Sequence, residues 1–360
     1  MSQASFKHPN RILIVGPSWV GDMVMAQSLF KELKRLHPRC CIDVLAPAWS
    51  KPLLDRMPEV ARGINMPVGH GQLLLKARYQ LGVSLRSEKY DQAILLPNSL
   101  KSALIPAFAE IEIRTGWRGE WRYGLLSDIR KLDKKRYPLM VQRFIALAHP
   151  SGTALPEKAL DFPLPELVVD AALRANVLEK YQLNSERPIL VLCPGAEFGP
   201  AKRWPEQHYA EVASQKIQAG WQVWLMGSQK DVEVCQTIKA YQSNDAQLQV
   251  HNLAGVTALA EAIDLMSLAD CVVSNDSGLM HIAAALGRPL VGVYGSTSPK
   301  FTPPLSVQVS IESVDVDCRP CFSRECPKAP ESGYMQCLET LSAQKVLAAI
   351  DTLCAGVVKL

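Results

Sequence analysis

The feature that most constrains this chain is a unit that recurs along it. A short β-branched run is followed by a loop of Gly, Ser, Asp or Pro, and then by an apolar helical period. Residues 11–16 (RILIVG) read as a buried parallel strand, and Pro17 to Asp22 as the loop. Residues 23–36 then carry Ala26, Leu29, Phe30, Leu33 and Leu36 at helical spacing before Pro38 closes the helix. Residues 41–45 return as a strand, which makes a βαβ opening. Further strands are predicted at 93–96 and 111–114.

Residues 150–165 hold Pro150, Pro156, Pro163 and Pro165 with no sustained period, and read as a linker. The alternation then restarts. Strands are predicted at 188–193, 223–226, 271–274 and 290–294, and helices at 206–219, 231–240, 257–268 and 277–286. Two such blocks predict an α/β chain of two Rossmann-like, doubly wound parallel sheets facing a cleft. The expected domains are 1–165, 166–345 and a C-terminal helix, 346–360, that packs back on the first half. With 360 residues, two cores are the natural expectation.

A net charge of +4 gives no global polyanion signature, so any basic function has to be local. No 18-residue apolar run occurs, and the first apolar run is too short and too β-branched for a signal peptide. A cytoplasmic protein is expected.

In doubly wound sheets, ligands bind beyond the carboxyl ends of the strands. The second half places Gly195, Ala196, Lys202 and Arg203 there after one strand, and Gly227, Ser228 and Asp231 after the next. Asn275, Asp276, Ser277 and Gly278 follow a third strand, with His281 one helical turn on, and Gly295, Ser296 and Thr297 follow a fourth. Backbone N–H groups, a helix dipole and a lysine at converging strand ends suit a diphosphate. Taken singly, Asp276 or Ser277 is a plain helix cap, His281 a satisfied buried histidine, and Lys202 a solvated lysine. Asp231 or Glu233 could accept ribose hydroxyls. Walker A and Gly-x-Gly-x-x-Gly loops are both missing, which disfavours a P-loop enzyme or a nicotinamide oxidoreductase. Asp22 opens a helix, where the dipole favours an acid whatever its function. The functional reading is a general base facing the cleft.

The segments PSWVGDMVMAQSL, KRWP and SNDSGLMHIAAALGRPLVGVYGSTSP, followed by FTPPL, resemble the bacterial ADP-heptose:lipopolysaccharide heptosyltransferases, glycosyltransferase family 9. The likeness runs from Arg11 to about Leu347. Trp19-Val20-Gly21-Asp22 and Gly278-Leu279-Met280-His281 favour its type II members. The resemblance implies a GT-B fold and inverting glycosyl transfer that needs no metal or other cofactor. It implies a base at Asp22, a phosphate-contacting Lys202, and donor contacts at Asp276, Ser277, Gly278 and His281. With less force it implies a ribose-binding Asp231. Gly195-Ala196 stands where the type I members carry a Thr-Thr pair, so backbone N–H groups would replace hydroxyls. The implied partners are ADP-heptose and a lipid-linked inner-core lipopolysaccharide acceptor already carrying its first heptose. Rival readings are a type I or III heptosyltransferase, an epimerase of the same plan, and a non-catalytic nucleotide-sugar-binding protein.

Residues 113–144 carry nine Lys/Arg against three Asp/Glu. They form either a solvated face or an acceptor site in which Arg118, Arg122 and Trp121 join Trp19. That site would suit acidic sugars, phosphates and the anionic cytoplasmic face of the inner membrane. No nucleic-acid motif accompanies the charge, so nucleic acid is not an expected partner. Cys318, Cys321, Cys326 and Cys337 begin like a zinc half-site, but the spacing then turns irregular, and free thiols are the expectation over a structural metal. Asp315 and Asp317 mimic a metal-binding Asp-x-Asp but read as an exposed strand face.

Overall fold

A computed structural model describes residues 9–67 and 72–355. It divides into two compact units that meet at Pro165 and Glu166.

The first unit is built on six parallel strands: β1 (Arg11–Val15), β2 (Cys41–Ala46), β3 (Arg62–Asn65), β4 (Gln92–Leu95), β5 (Ile113–Trp117) and β6 (Asp128–Arg130). Their order in the sheet is β3-β2-β1-β4-β5-β6. The central strands are continuous apolar runs because helices cover both faces of a parallel sheet; Ile12 to Val15 and Ala93 to Leu95 are almost wholly buried. The Val20–Leu36 helix buries Met23, Ala26, Leu29, Phe30 and Leu33.

The second unit repeats the plan with β7 (Ile189–Cys193), β8 (Gln222–Leu225), β9 (Val250–Asn252), β10 (Cys271–Asn275), β11 (Leu290–Val293) and β12 (Val309–Glu312). Its order, β12-β11-β10-β7-β8-β9, is that of the first sheet. In each sheet the order reverses once, between β1 and β4 and between β7 and β10. Those switch points are where such folds hold ligands, outside the carboxyl ends of the strands.

The eight strands expected for the two sheets are present. The four that were not expected, β3, β6, β9 and β12, are the four edge strands. They are three or four residues long and only partly buried, so they carry no apolar run to read. The expected strand at Asp315 and Asp317 is instead an exposed loop beyond β12.

The C-terminal helix runs Ala343–Leu353 and was expected to reach back to the first half. Its stripe of Ala343, Val346, Ala349 and Ile350 completes the second unit's core, against the Glu206–Gln218 helix and β11. The last residues of that expected segment, 356–360, lie outside the described residues. Among the described residues, no helix is long and apolar enough to cross a membrane.

Candidate active site

At the second unit's switch point, two neighbouring strand ends are tied by one side chain. Asn275 ends β10 and is fully buried. Its Nδ2 donates to the Pro194 carbonyl beyond β7 at 2.6 Å. Its Oδ1 accepts from the Trp204 N–H at 3.1 Å and the Tyr209 hydroxyl at 3.0 Å. The loop carrying Lys202 is thus held at both ends by one amide. An aspartate could not donate to Pro194, and an alanine would leave the Pro194 carbonyl and the Trp204 N–H without this partner.

The next residue gathers the other loops. Asp276 is buried, and its Oδ2 accepts from Lys202 Nζ at 2.7 Å and from Thr297 Oγ1, in the loop after β11, at 2.6 Å. Lys202 Nζ also donates to the Asp276 carbonyl at 3.2 Å and lies 5.1 Å from the centre of the Phe198 ring. Two of the three ammonium donors are therefore fixed, and one remains for a ligand. The Lys202 side chain keeps only 14% of its surface exposed. This is a positioned cation, not the solvated lysine of the plain reading. Ser296, beside Thr297, buries a hydroxyl that has no hydrogen-bond partner among the described residues.

Three of the expected site residues have partners within the protein. Asp276, expected to contact the donor diphosphate, already carries two donors on one carboxylate oxygen. Its place here is as the counter-ion that orients Lys202. Ser277 was expected to cap the helix Gly278–Ala285, yet its side chain makes no cap bond. Its hydroxyl pairs with that of Ser274 at 3.2 Å, so the first-turn N–H groups have no Ser277 oxygen. The helix does end as the sequence foretold, with the Gly287 and Arg288 N–H groups returning to Ala284 and Ala283.

Asp231 is the third. Its Oδ2 accepts from the Ser228 N–H at 2.9 Å and the Ser228 hydroxyl at 2.7 Å, and Arg203 approaches its other oxygen at 3.6 Å. It is packed against Gly195 with no room between for a β-carbon. Asp231, expected on a ribose, is bonded within its own loop in this way, and Glu233 is exposed on the helix that follows. Gly195 and Ala196 are both buried at the end of β7.

His281 is 4% exposed, and burial pushes its imidazole down to about 4; the nearby Asp276 charge works against that shift and Lys202 adds to it. At neutral pH and with no ligand anion beside it, it is uncharged.

In the first unit, Asp22 is half-buried in the first turn of the Val20–Leu36 helix, and Trp19 precedes that helix with 49% of its surface exposed. Arg118 and Trp121 are exposed on the loop after β5. Arg122, expected with them on the acceptor, is fully buried, and its guanidinium binds the Pro97 and Trp117 carbonyls and the Ser102 hydroxyl. Arg130 is likewise buried, bonded to Asp128 and to two backbone carbonyls. The basic segment is thus partly internal scaffolding. Sequence cannot separate the two kinds of arginine, because both sit in a polar stretch.

Cys318 and Cys321 are exposed, Cys326 is half-buried and Cys337 buried, and all carry free thiols. Among the described residues, no group of three or more ligating side chains is placed to hold a metal ion.

Residues 78–331 match the profile of glycosyltransferase family 9 (heptosyltransferase). The chain is 50% identical over 345 residues to lipopolysaccharide heptosyltransferase 2 of Salmonella typhimurium, covering 95% of this chain and 98% of that one. The chain belongs to glycosyltransferase family 9. It is a glycosyltransferase. It is also 51% identical over 350 residues to lipooligosaccharide heptosyltransferase 2 of Haemophilus influenzae, covering 96% and 99% of the two chains. The solved structure of ADP-heptose LPS heptosyltransferase II of E. coli superposes with a TM-score of 0.84 at 47% identity, covering 96% of this chain and 98% of that one. The likeness to this family-9 structure carries the GT-B fold with it.

Two outcomes are expected. Replacing Asn275 with Ala costs about 2–4 kcal/mol of unfolding free energy, read by denaturant titration, because buried partners lose their bonds. His281 makes stability depend on pH. Its folded value of about 4 lies below the unfolded 6.5, so the unfolded chain takes up the proton first. Its contribution is complete above about 6.5 and is lost as pH falls toward 4, on the order of 3 kcal/mol in all. His281→Asn should flatten the stability profile across that window; parallel profiles would contradict it.

Proposed function

We propose that this glycosyltransferase moves L-glycero-D-manno-heptose from ADP-heptose to the first heptose of the lipopolysaccharide inner core, with inversion and without a metal. The observation that carries this reading is the fixed Lys202 ammonium at the second unit's switch point, in a chain that shares half its residues with heptosyltransferases 2. The names of those relatives supply the sugar and the acceptor class.

The chemistry follows from the charges. An acceptor hydroxyl attacks the anomeric carbon while the bond to the donor's β-phosphate breaks and its electron pair stays on ADP. Positive charge builds on the sugar ring and negative charge on the leaving phosphate. The remaining Lys202 N–H, His281 and the first-turn N–H groups at Ser277 and Gly278 are the donors assigned to that phosphate. Gly195 and Ala196 bring backbone close to the donor at the end of β7. Asp22 takes the acceptor proton as general base, and Trp19, Arg118 and Trp121 hold the acceptor. Arg118 and the exposed Lys131, Lys134 and Lys135 suit the anionic cytoplasmic face of the inner membrane, where we place the reaction.

Asp22→Ala is expected to lower kcat by about 10²–10⁴-fold while ADP binding stays intact. A parallel fall in ADP affinity and turnover would overturn the assignment of the base. Lys202→Ala is expected to cost about 10²–10³-fold in kcat and to weaken ADP binding in calorimetry. If both are unchanged, Lys202 leaves the site.

A further inference from the structure

The loop after β5 exposes large aromatic surface on a rigid support. Trp121 is 83% exposed and Tyr123 60%, and their rings meet edge to face with centroids 6.3 Å apart. Exposed aromatics on a floppy loop would carry little meaning, but this loop is pinned on both sides of Trp121.

On one side, Glu120 accepts through Oε2 from the Leu100 N–H at 2.7 Å, at the start of the Leu100–Phe108 helix. The Glu120 N–H donates to the Asn98 carbonyl at 3.2 Å. Gly119 lies so close to Asn98 that a β-carbon there would collide with its carbonyl oxygen. On the other side, the buried Arg122 bonds Pro97 at 2.8 Å and Ser102 at 3.3 Å, and reaches back to Trp117. Burying a guanidinium is costly unless its partners are fixed, and every partner here belongs to the end of β5, to the loop after β4 or to the helix that follows it. With residues 119, 120 and 122 anchored, the side chain at 121 has to stand outward. Arg118 stands beside it, exposed.

The place in the sheet matters as well. β5 neighbours β4, and β4 neighbours β1, whose loop leads to Trp19 and Asp22. Strands lie about 4.8 Å apart, so the β5 loop starts roughly 10 Å from the β1 loop, the span of one or two sugar rings. A sugar ring offers a C–H-rich face that an aromatic ring can cover, and a phosphorylated or acidic sugar adds a charge for a neighbouring arginine.

We propose that Trp121 and Tyr123 form a preorganised stacking platform for a sugar ring of the acceptor, with Arg118 pairing an anionic substituent, and that Arg122 is the positioning residue that holds the platform. This rests on the transferase reading above and adds to it which acceptor feature is recognised and by which face.

The test is steady-state kinetics of the full-length protein with ADP-heptose and a mono-heptosylated inner-core fragment, backed by direct calorimetric binding of that fragment. Trp121→Ala and Tyr123→Ala should each raise the acceptor KM about tenfold, with kcat and the ADP-heptose KM within twofold. Trp121→Phe should restore most of the loss. Gly119→Ala, checked for folding by thermal melt, should raise the acceptor KM without moving the ADP-heptose KM. Unchanged acceptor KM in both alanine variants overturns the platform, as does a loss confined to kcat. If those variants bind the acceptor normally but lose binding to anionic phospholipid vesicles, the surface is a membrane contact and the proposal is wrong. If the wild-type protein binds the fragment but transfers no heptose, the transferase reading fails instead, and the calorimetric comparison still decides the platform.

Discussion

The second unit depends on a pair of adjacent residues at the end of β10. Asn275 closes the gap to β7 with three hydrogen bonds, and Asp276 draws Lys202 and Thr297 onto one carboxylate oxygen. Both residues are buried, so each bond is made in surroundings where leaving it unmade is expensive. The consequence is a lysine that has lost most of its rotamer freedom before any ligand arrives. A transition state that builds charge on a phosphate gains most from donors that need no rearrangement, and this knot supplies one.

The first unit solves a similar problem with different means. Its β4 and β5 loops are joined by Arg122, a charge taken out of water and spent on backbone carbonyls, and by Glu120, which meets the first N–H of a helix. In both units an ionisable residue that looks chemical in the sequence is mechanical in the fold. Asp231, Arg130 and Arg122 hold loops, and Arg118 and Trp121 beside Arg122 face outward.

The sheets were legible where they are buried. β5 (IRTGW) gives a weaker signal, but β1 (RILIV), β7 (ILVLC), β10 (CVVSN) and β11 (LVGV) announce themselves as apolar, β-branched runs. The edge strands do not, because half their surface faces solvent or a loop, and their sequences (RGIN, DIR, VHN and VSIE) could belong to any turn. The site was legible by position. Once the strands were assigned, the residues just past them include Lys202, Asn275, Asp276 and Thr297, which the fold ties together. Roles were harder to read. That Asp276 orients Lys202 and that His281 stays neutral are properties of burial and of contacts far apart in sequence, which no local pattern records. Ser277 shows the same limit: an excellent cap residue stands at the cap position and turns its hydroxyl elsewhere.

The central claim is a transfer defined by donor and acceptor together. Its most direct measurement offers the purified protein ADP-heptose with two lipid-linked core acceptors, one carrying no heptose and one carrying a single heptose, and follows the products by mass spectrometry. The account predicts one added heptose on the mono-heptosylated acceptor and none on the other. Transfer to the heptose-free acceptor, or no transfer to either, would contradict it.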